Sequence, residues 1–239
     1  MIEARDLHYT YQKGTPWERD ALRGLDLRIE KGAFVGVCGA CASGKTTLLR
    51  LLAGLVEPTS GSLTVEGRTA IAFQFPESQL FEATVLGDVM FGPLNLGLSR
   101  EEARARAVEA LDLVGLGSEF HDLSPFSLSG GEQRRAALAG VRAMESEVLL
   151  LDEPTAGLDP VGRKALLGLL MSLNAKGTTI VMASHSSQDI IDCCSEVLLL
   201  DSGSLVDSGR PEEVFGRHGG LEPSSLRLKR ALDRILSEV

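Results

Sequence analysis

No stretch of this 239-residue chain approaches the roughly 18 consecutive apolar residues that suggest a membrane span, so any membrane role needs a partner that does the spanning. The opening MIEARDLHYTY lacks the basic-then-apolar pattern of a secretory leader, which leads us to expect a cytosolic protein. Positive charge is not in excess either. Lys and Arg number 24 against 33 Asp and Glu, and the net charge of −9 disfavours a broad electrostatic grip on nucleic acid. Cysteine is sparse, with Cys38, Cys41, Cys193 and Cys194 only. Cys38 and Cys41 form a CxxC, but a zinc site needs four well-spaced ligands, and no second pair or suitably spaced histidine accompanies them. Cys38 therefore reads as the end of a buried strand and Cys41 as a variable loop position. Cys193 and Cys194 read as filler at a helix-to-strand junction. Internal repeats and low-complexity tracts are missing too.

What remains is an ordinary globular composition, 44% hydrophobic and 24% charged, on a chain long enough to bury a core without staples. Ile2–Tyr11 and Leu22–Ile29 alternate in part and read as half-exposed antiparallel strands. The loop 14–20 between them carries the only tryptophan. The apolar run Ala33–Cys38 predicts a buried strand. A helix follows over Lys45–Ala53, stopped at Gly54, and then short strands at Ser62–Val65 and Thr69–Phe73 around a turn at Glu66-Gly67. From Pro76 to about Met144 the pattern is helical, with a capping box at Ser99 and Glu102 and a stop at Gly115. Beyond it the chain returns to alternation: strand Val148–Leu151, helix Pro160–Lys176, strand Thr178–Ala183 and strand Val197–Leu200. Such alternation predicts an α/β fold with a mostly parallel sheet, and the helical stretch reads as an inserted lobe. Leu228, Leu232, Ile235, Leu236 and Val239 fall on one face of a C-terminal helix, for packing on the domain or for a dimer contact.

Three segments carry chemistry. Gly39-Ala40-Cys41-Ala42-Ser43-Gly44-Lys45-Thr46, followed by Thr47, fits GxxxxGK[ST] between a buried strand and a helix, the context in which this motif cradles phosphates. Lys45 reaches the β- and γ-phosphates in such a loop, and Thr46 offers its hydroxyl to Mg²⁺. Downstream, Val148–Leu151 is an apolar run ending in two carboxylates. Asp152 suits the Mg²⁺ shell, and Glu153 can polarise an attacking water as general base. Ser129-Gly130-Gly131-Glu132 is a second capping box, and its consecutive glycines leave the helix N-terminus bare for another anion. Each segment also has a plainer reading, respectively a glycine turn, surface charge and a helix start.

LSGGE ahead of VLLLDEPTAGLDP, after GxxxxGKT, resembles the ABC-type ATPases over nearly the whole chain. The resemblance implies a P-loop NTPase fold. Its nucleotide-binding core would comprise residues 1–75 and 145–210, including an antiparallel β subdomain. A helical subdomain would span 76–144, and a C-terminal helical segment 211–239. It implies a head-to-tail dimer, of like or related subunits, with ATP between the Lys45 loop of one and Ser129–Gly131 of the other. Gln74 resembles the glutamine that senses Mg²⁺ and water, and His185 the switch histidine at the γ-phosphate. Tyr11 resembles the aromatic that stacks on adenine, and Ala156–Asp159 the loop that crosses between subunits. The stretches FQFPESQLFEATVLGDVMFGPLNLGL and SPFSLSGGEQRRAALAGVRAM resemble more narrowly the ATPase subunits of energy-coupling factor importers of vitamins or transition-metal ions. That likeness implies an integral membrane coupling subunit docked near Phe75–Phe81, a substrate-binding membrane subunit, and a peripheral location on the cytoplasmic face. A soluble ABC ATPase acting on nucleic acid or ribosomes and a non-hydrolysing ATP sensor are the competing readings. One departure stands out: ABC ATPases usually have glycine where this chain has Ala42.

Overall fold

The computed structural model describes residues 1–72 and 80–218. They divide into two compact units, one built from residues 1–66 and the described residues from Thr179 onward, the other from Gly67–Thr178.

In the first unit, β1 (Ile2–Tyr11) sits at the centre of a three-stranded antiparallel sheet, between β2 (Arg19–Ile29) and β4 (Ser60–Val65). One face is apolar and buried, with Ile2, Ala4 and Leu7 facing Leu25, Leu27 and Ile29, as half-exposed alternating strands require. The strand β2 starts three residues before the expected Leu22 because Arg19 and Asp20, though polar and exposed, continue the ladder opposite Tyr11 and Thr10.

Four further strands of this unit run in the order β7 (Thr179–Ala183), β3 (Phe34–Gly39), β8 (Glu196–Asp201), β9 (Ser204–Gly209). The first three are parallel, and β9 closes the edge antiparallel to β8. Every residue of β3 and β7 is buried, which explains their largely apolar sequences; the hydroxyl of Thr179, at the start of β7, accepts from the Gly32 N–H at 2.9 Å. Parallel pairing also puts the carboxyl ends of β3 and β7 side by side, with Val37 opposite Ala183 and the Ser184 N–H donating to the Val37 carbonyl at 3.1 Å. Short helices α1 (Lys45–Leu52), α6 (Ser187–Cys193) and α7 (Pro211–Arg217) complete the unit.

In the second unit, β5 (Thr69–Ala72) lies parallel to β6 (Val148–Asp152). The expected strands on either side of Glu66-Gly67 are thus both present, but β4 joins the antiparallel sheet while β5 pairs with β6. Helices α2 (Val85–Asn95), α3 (Arg100–Leu113) and α4 (Gly130–Ala143) share an apolar cluster rich in alanine. Ala103, Ala107, Ala110 and Leu111 of α3 recur at helical spacing and are buried. The capping box at Ser99 is present, its hydroxyl accepting from the Glu102 N–H while the Glu102 carboxylate accepts from the Ser99 N–H. The long helix α5 (Pro160–Ala175) follows β6. No helix among the described residues is long and apolar enough to cross a membrane. The C-terminal apolar face around Leu228–Val239 lies outside the described residues.

Candidate functional site

The carboxyl end of β3 runs directly into the loop 39–44 and then into α1. Gly39 cannot carry a side chain: its φ is +150°, and a Cβ would lie 2.1 Å from the Leu200 carbonyl oxygen and 2.6 Å from Ser43 Oγ. Gly44, with φ +108°, is the N-cap of α1 and contributes no side-chain cap. The first amides of α1 thus have no side-chain acceptor from the cap, and the helix dipole adds partial positive charge there. Lys45 is only 7% exposed, and its ammonium donates to the Gly39 and Ala40 carbonyls at 2.9 Å each. The lysine thereby pins the loop in the curve that its neighbours need. Ser43 Oγ is buried and makes no hydrogen bond among the described residues. Gly39, the buried hydroxyl of Ser43 and the open helix start together fit a polyphosphate, which brings acceptor oxygens and needs close backbone approach.

Ala42 has φ +62° and is exposed. The sequence therefore places alanine where the backbone is left-handed, a conformation costing roughly 1 kcal/mol for a residue with a Cβ. The turn that holds it is closed by the Ser43 N–H on the Ala40 carbonyl. Ala42→Gly removes that strain at the cost of some unfolded-state entropy. We expect ATP turnover equal to or above the parent, with no fall in melting temperature; a clear loss of turnover refutes the strain argument. Cys41 is exposed in the loop and Cys38 is buried in β3; neither forms a disulfide among the described residues.

A small open cleft of about 190 Å³ is lined by Ala42–Thr47 together with Tyr11, Arg19 and Ala21. Tyr11 stands at the end of β1, its hydroxyl 3.1 Å from Thr47 Oγ1 and its ring edge-on to Tyr9. The structure thus brings Tyr11 beside the phosphate loop. It also adds Arg19, which the sequence reading left inside a surface loop. Register supplies that contact, because Arg19 is the β2 partner of Tyr11. His185 is exposed two residues beyond β7, on the same sheet edge from which the phosphate loop departs. Ligands of open parallel sheets bind at that edge.

The second unit carries the remaining candidates. Asp152 ends β6, and Asp152 and Glu153 are both buried. Glu153 has φ +51°, an outlier for a residue with a long side chain. Strain of this kind concentrates at functional sites. Ser129 caps α4, with its N–H and hydroxyl both donating to the Glu132 carboxylate at 2.8 and 2.6 Å. These bonds hold the Glu132 carboxyl below its ordinary range, the Ser129 hydroxyl contributing most. Neither Gly130 nor Gly131 has a positive φ, and a Cβ at either would meet nothing within 4 Å. What these glycines supply is clearance at the helix start. Asp159 caps α5, accepting from the Gly162 N–H at 2.6 Å. Gln74 lies outside the described residues.

A loop that wraps phosphates at the head of a helix, on the carboxyl edge of a parallel sheet, defines a phosphate-loop nucleotide-binding protein. Residues 22–156 match the ABC transporter family. The chain is 45% identical to the energy-coupling factor transporter ATP-binding protein EcfA2 of Streptococcus thermophilus, over 94% of this chain and 86% of that protein. Against the protein of the same name from Lactococcus lactis subsp. lactis, identity is 43% over 97% and 86%. Among solved structures it resembles CbiO1 from Clostridium perfringens, part of the ABC transporter complex CbiONQ (TM-score 0.81, 33% identity, 100% of this chain and 98% of that one). It also resembles a dimeric ATP-binding cassette in a post-hydrolysis state bound to ADP and Pi (TM-score 0.80, 27% identity, 88% of this chain and 99% of that one). The chain belongs to the ABC transporter ATPases, and within them to the ATP-binding proteins of energy-coupling factor transporters.

Proposed function

We propose that this protein binds and hydrolyses ATP to power an energy-coupling factor importer, and that two ATPase subunits close on ATP head to tail. The observation that carries the nucleotide half is the phosphate loop: Lys45 buried against its carbonyls, Ser43 Oγ buried beside Gly39, and α1 open at its start. In this reading Gly39–Thr47 hold the triphosphate and Tyr11 faces the base. Thr46, Asp152 and Gln74 would hold Mg²⁺, which neutralises developing charge on the phosphates when bound. Glu153 takes the proton of the attacking water, and His185 orients at the γ-phosphate. Ser129, Gly130 and Gly131 of the other subunit offer their clear helix start to the same nucleotide, with Asp159 in the loop between subunits.

The importer half draws support from the relatives and from one surface. Leu80 and Phe81 are neighbours in sequence with opposite fates: Leu80 is 4% exposed in the helical core, while Phe81 is 57% exposed. Phe81 stacks edge-on against Phe91 at 4.7 Å, and Leu94 is also exposed on α2. The Asp88 carboxylate fixes this segment by accepting from the Phe81 and Glu82 N–H groups, both at 2.8 Å. An aromatic patch held this firmly suits docked helices of an integral membrane coupling subunit. That subunit, beside a substrate-binding membrane subunit, would keep the ATPase peripheral on the cytoplasmic face. Vitamins or transition-metal ions are the solutes this reading assigns. Affinity isolation of the chain in mild detergent, with identification of its companions, tests it. The reading expects an integral membrane subunit in stoichiometric yield; recovery with ribosomes or nucleic acid alone overturns it.

A further inference from the structure

One contact within the second unit joins two segments that the proposed function assigns to the subunit interface. Arg134 stands one turn into α4, just past the Ser129–Gly131 start. Its guanidinium donates from Nη1 to the main-chain carbonyl of Ala156, in the loop between β6 and α5. Within the loop, the Ala156 N–H donates to the Glu153 carbonyl and the Leu158 N–H to the Thr155 carbonyl, both at 3.2 Å. At its far end, Asp159 caps α5. Between them Gly157 has φ +74° and open space around it, and Gly157 and Asp159 are exposed. The loop thus has an exposed tip, and Arg134 reaches its carbonyl from a different helix.

We infer that Arg134 is a positioning residue that ties the loop 153–159 to helix α4, so that nucleotide contact at Ser129–Gly131 is felt at Glu153 and Asp159 of the same chain. The physical reason is direct. A charge-assisted bond from a rigid fork to a backbone carbonyl fixes the loop's position without depending on the loop's side chains. Movement of α4 toward a nucleotide then carries the carbonyl of Ala156 with it, and with it the residues on either side. The inference rests on the closed-dimer reading above for its consequence, but the tether itself does not.

Amide hydrogen exchange and ATP turnover, measured together on Arg134→Ala, Arg134→Lys and the parent, test it. Exchange of the segment 156–162 is expected to quicken at least about fivefold in Arg134→Ala, with the segments of β5 and α3 unchanged. Arg134→Lys keeps a donor of similar reach and is expected to restore exchange to within about twofold. Turnover in Arg134→Ala is expected to fall about tenfold, and its ATP dependence to lose the sigmoidal shape that the closed-dimer reading expects of the parent, while single-chain nucleotide affinity stays within about twofold. Unchanged exchange overturns the tether. Quickened exchange throughout the unit shows general loosening and overturns it equally. Local quickening with parental turnover and sigmoidicity overturns the coupling. If the parent itself neither dimerises nor turns over ATP, the closed-dimer reading and the coupling drawn from it both fail, and the exchange result alone decides the tether.

Discussion

Glu153→Gln is expected to bind ATP as tightly as the parent and to lose at least about a hundredfold in turnover, because a positioned general base contributes roughly 10²–10⁴ to such a step. The side chain is buried at the end of β6, on a backbone held at positive φ. The amide keeps its size and one acceptor oxygen and removes the basicity. Packing is therefore conserved, and only the proton-accepting function goes. Single-turnover hydrolysis with radiolabelled ATP, alongside equilibrium binding, checks both halves. Turnover within about threefold of the parent removes Glu153 as the base.

Lys45→Ala is the second large effect. The ammonium makes two hydrogen bonds to loop carbonyls from a nearly buried position. Hydrogen bonds to charged groups are worth about 1.5–3 kcal/mol each. Losing them slackens the loop, and losing the charge removes a partner for the β- and γ-phosphates. Together these are expected to weaken ATP binding by about 3 kcal/mol or more, at least about a hundredfold. Titration with a fluorescent ATP analogue measures the change, and a cooperative melting transition together with a parental far-ultraviolet circular dichroism spectrum shows that the fold persists despite the lost hydrogen bonds. A dissociation constant within about threefold of the parent contradicts the assignment. Where Lys45→Ala loses the nucleotide and Glu153→Gln retains it, binding and chemistry are assigned to different residues.

The phosphate loop was legible from sequence because its chemistry is local. A buried strand, a glycine that cannot carry a Cβ and a lysine at the head of a helix are fixed by spacing alone. The capping boxes at Ser99 and Ser129 were legible for the same reason. Other features depend on partners distant in sequence. Strand β9 is short, half-exposed and rich in serine, and its strand character comes from pairing with β8. Helix α6 has seven residues, too few for a periodic signal. Leu80 and Phe81 sit side by side in an irregular segment, where no periodicity separates core from surface. Arg19 reaches the cleft through the register of two strands, and Arg134 reaches a carbonyl, which carries no mark in the sequence. The left-handed backbone at Ala42 was foreseeable as a question, since glycine is usual there, and the structure answers it with φ +62°.

The central claim is that ATP joins two copies of the ATPase into a closed pair. Light scattering of Glu153→Gln during gel filtration, with and without saturating Mg-ATP, measures this most directly. The account predicts a mass close to the 25.5 kDa chain without nucleotide and about twice that with it, reversed by Lys45→Ala in the same background. A single-chain mass at saturating Mg-ATP, persisting when a related ATPase subunit and the membrane companion are supplied, would contradict it.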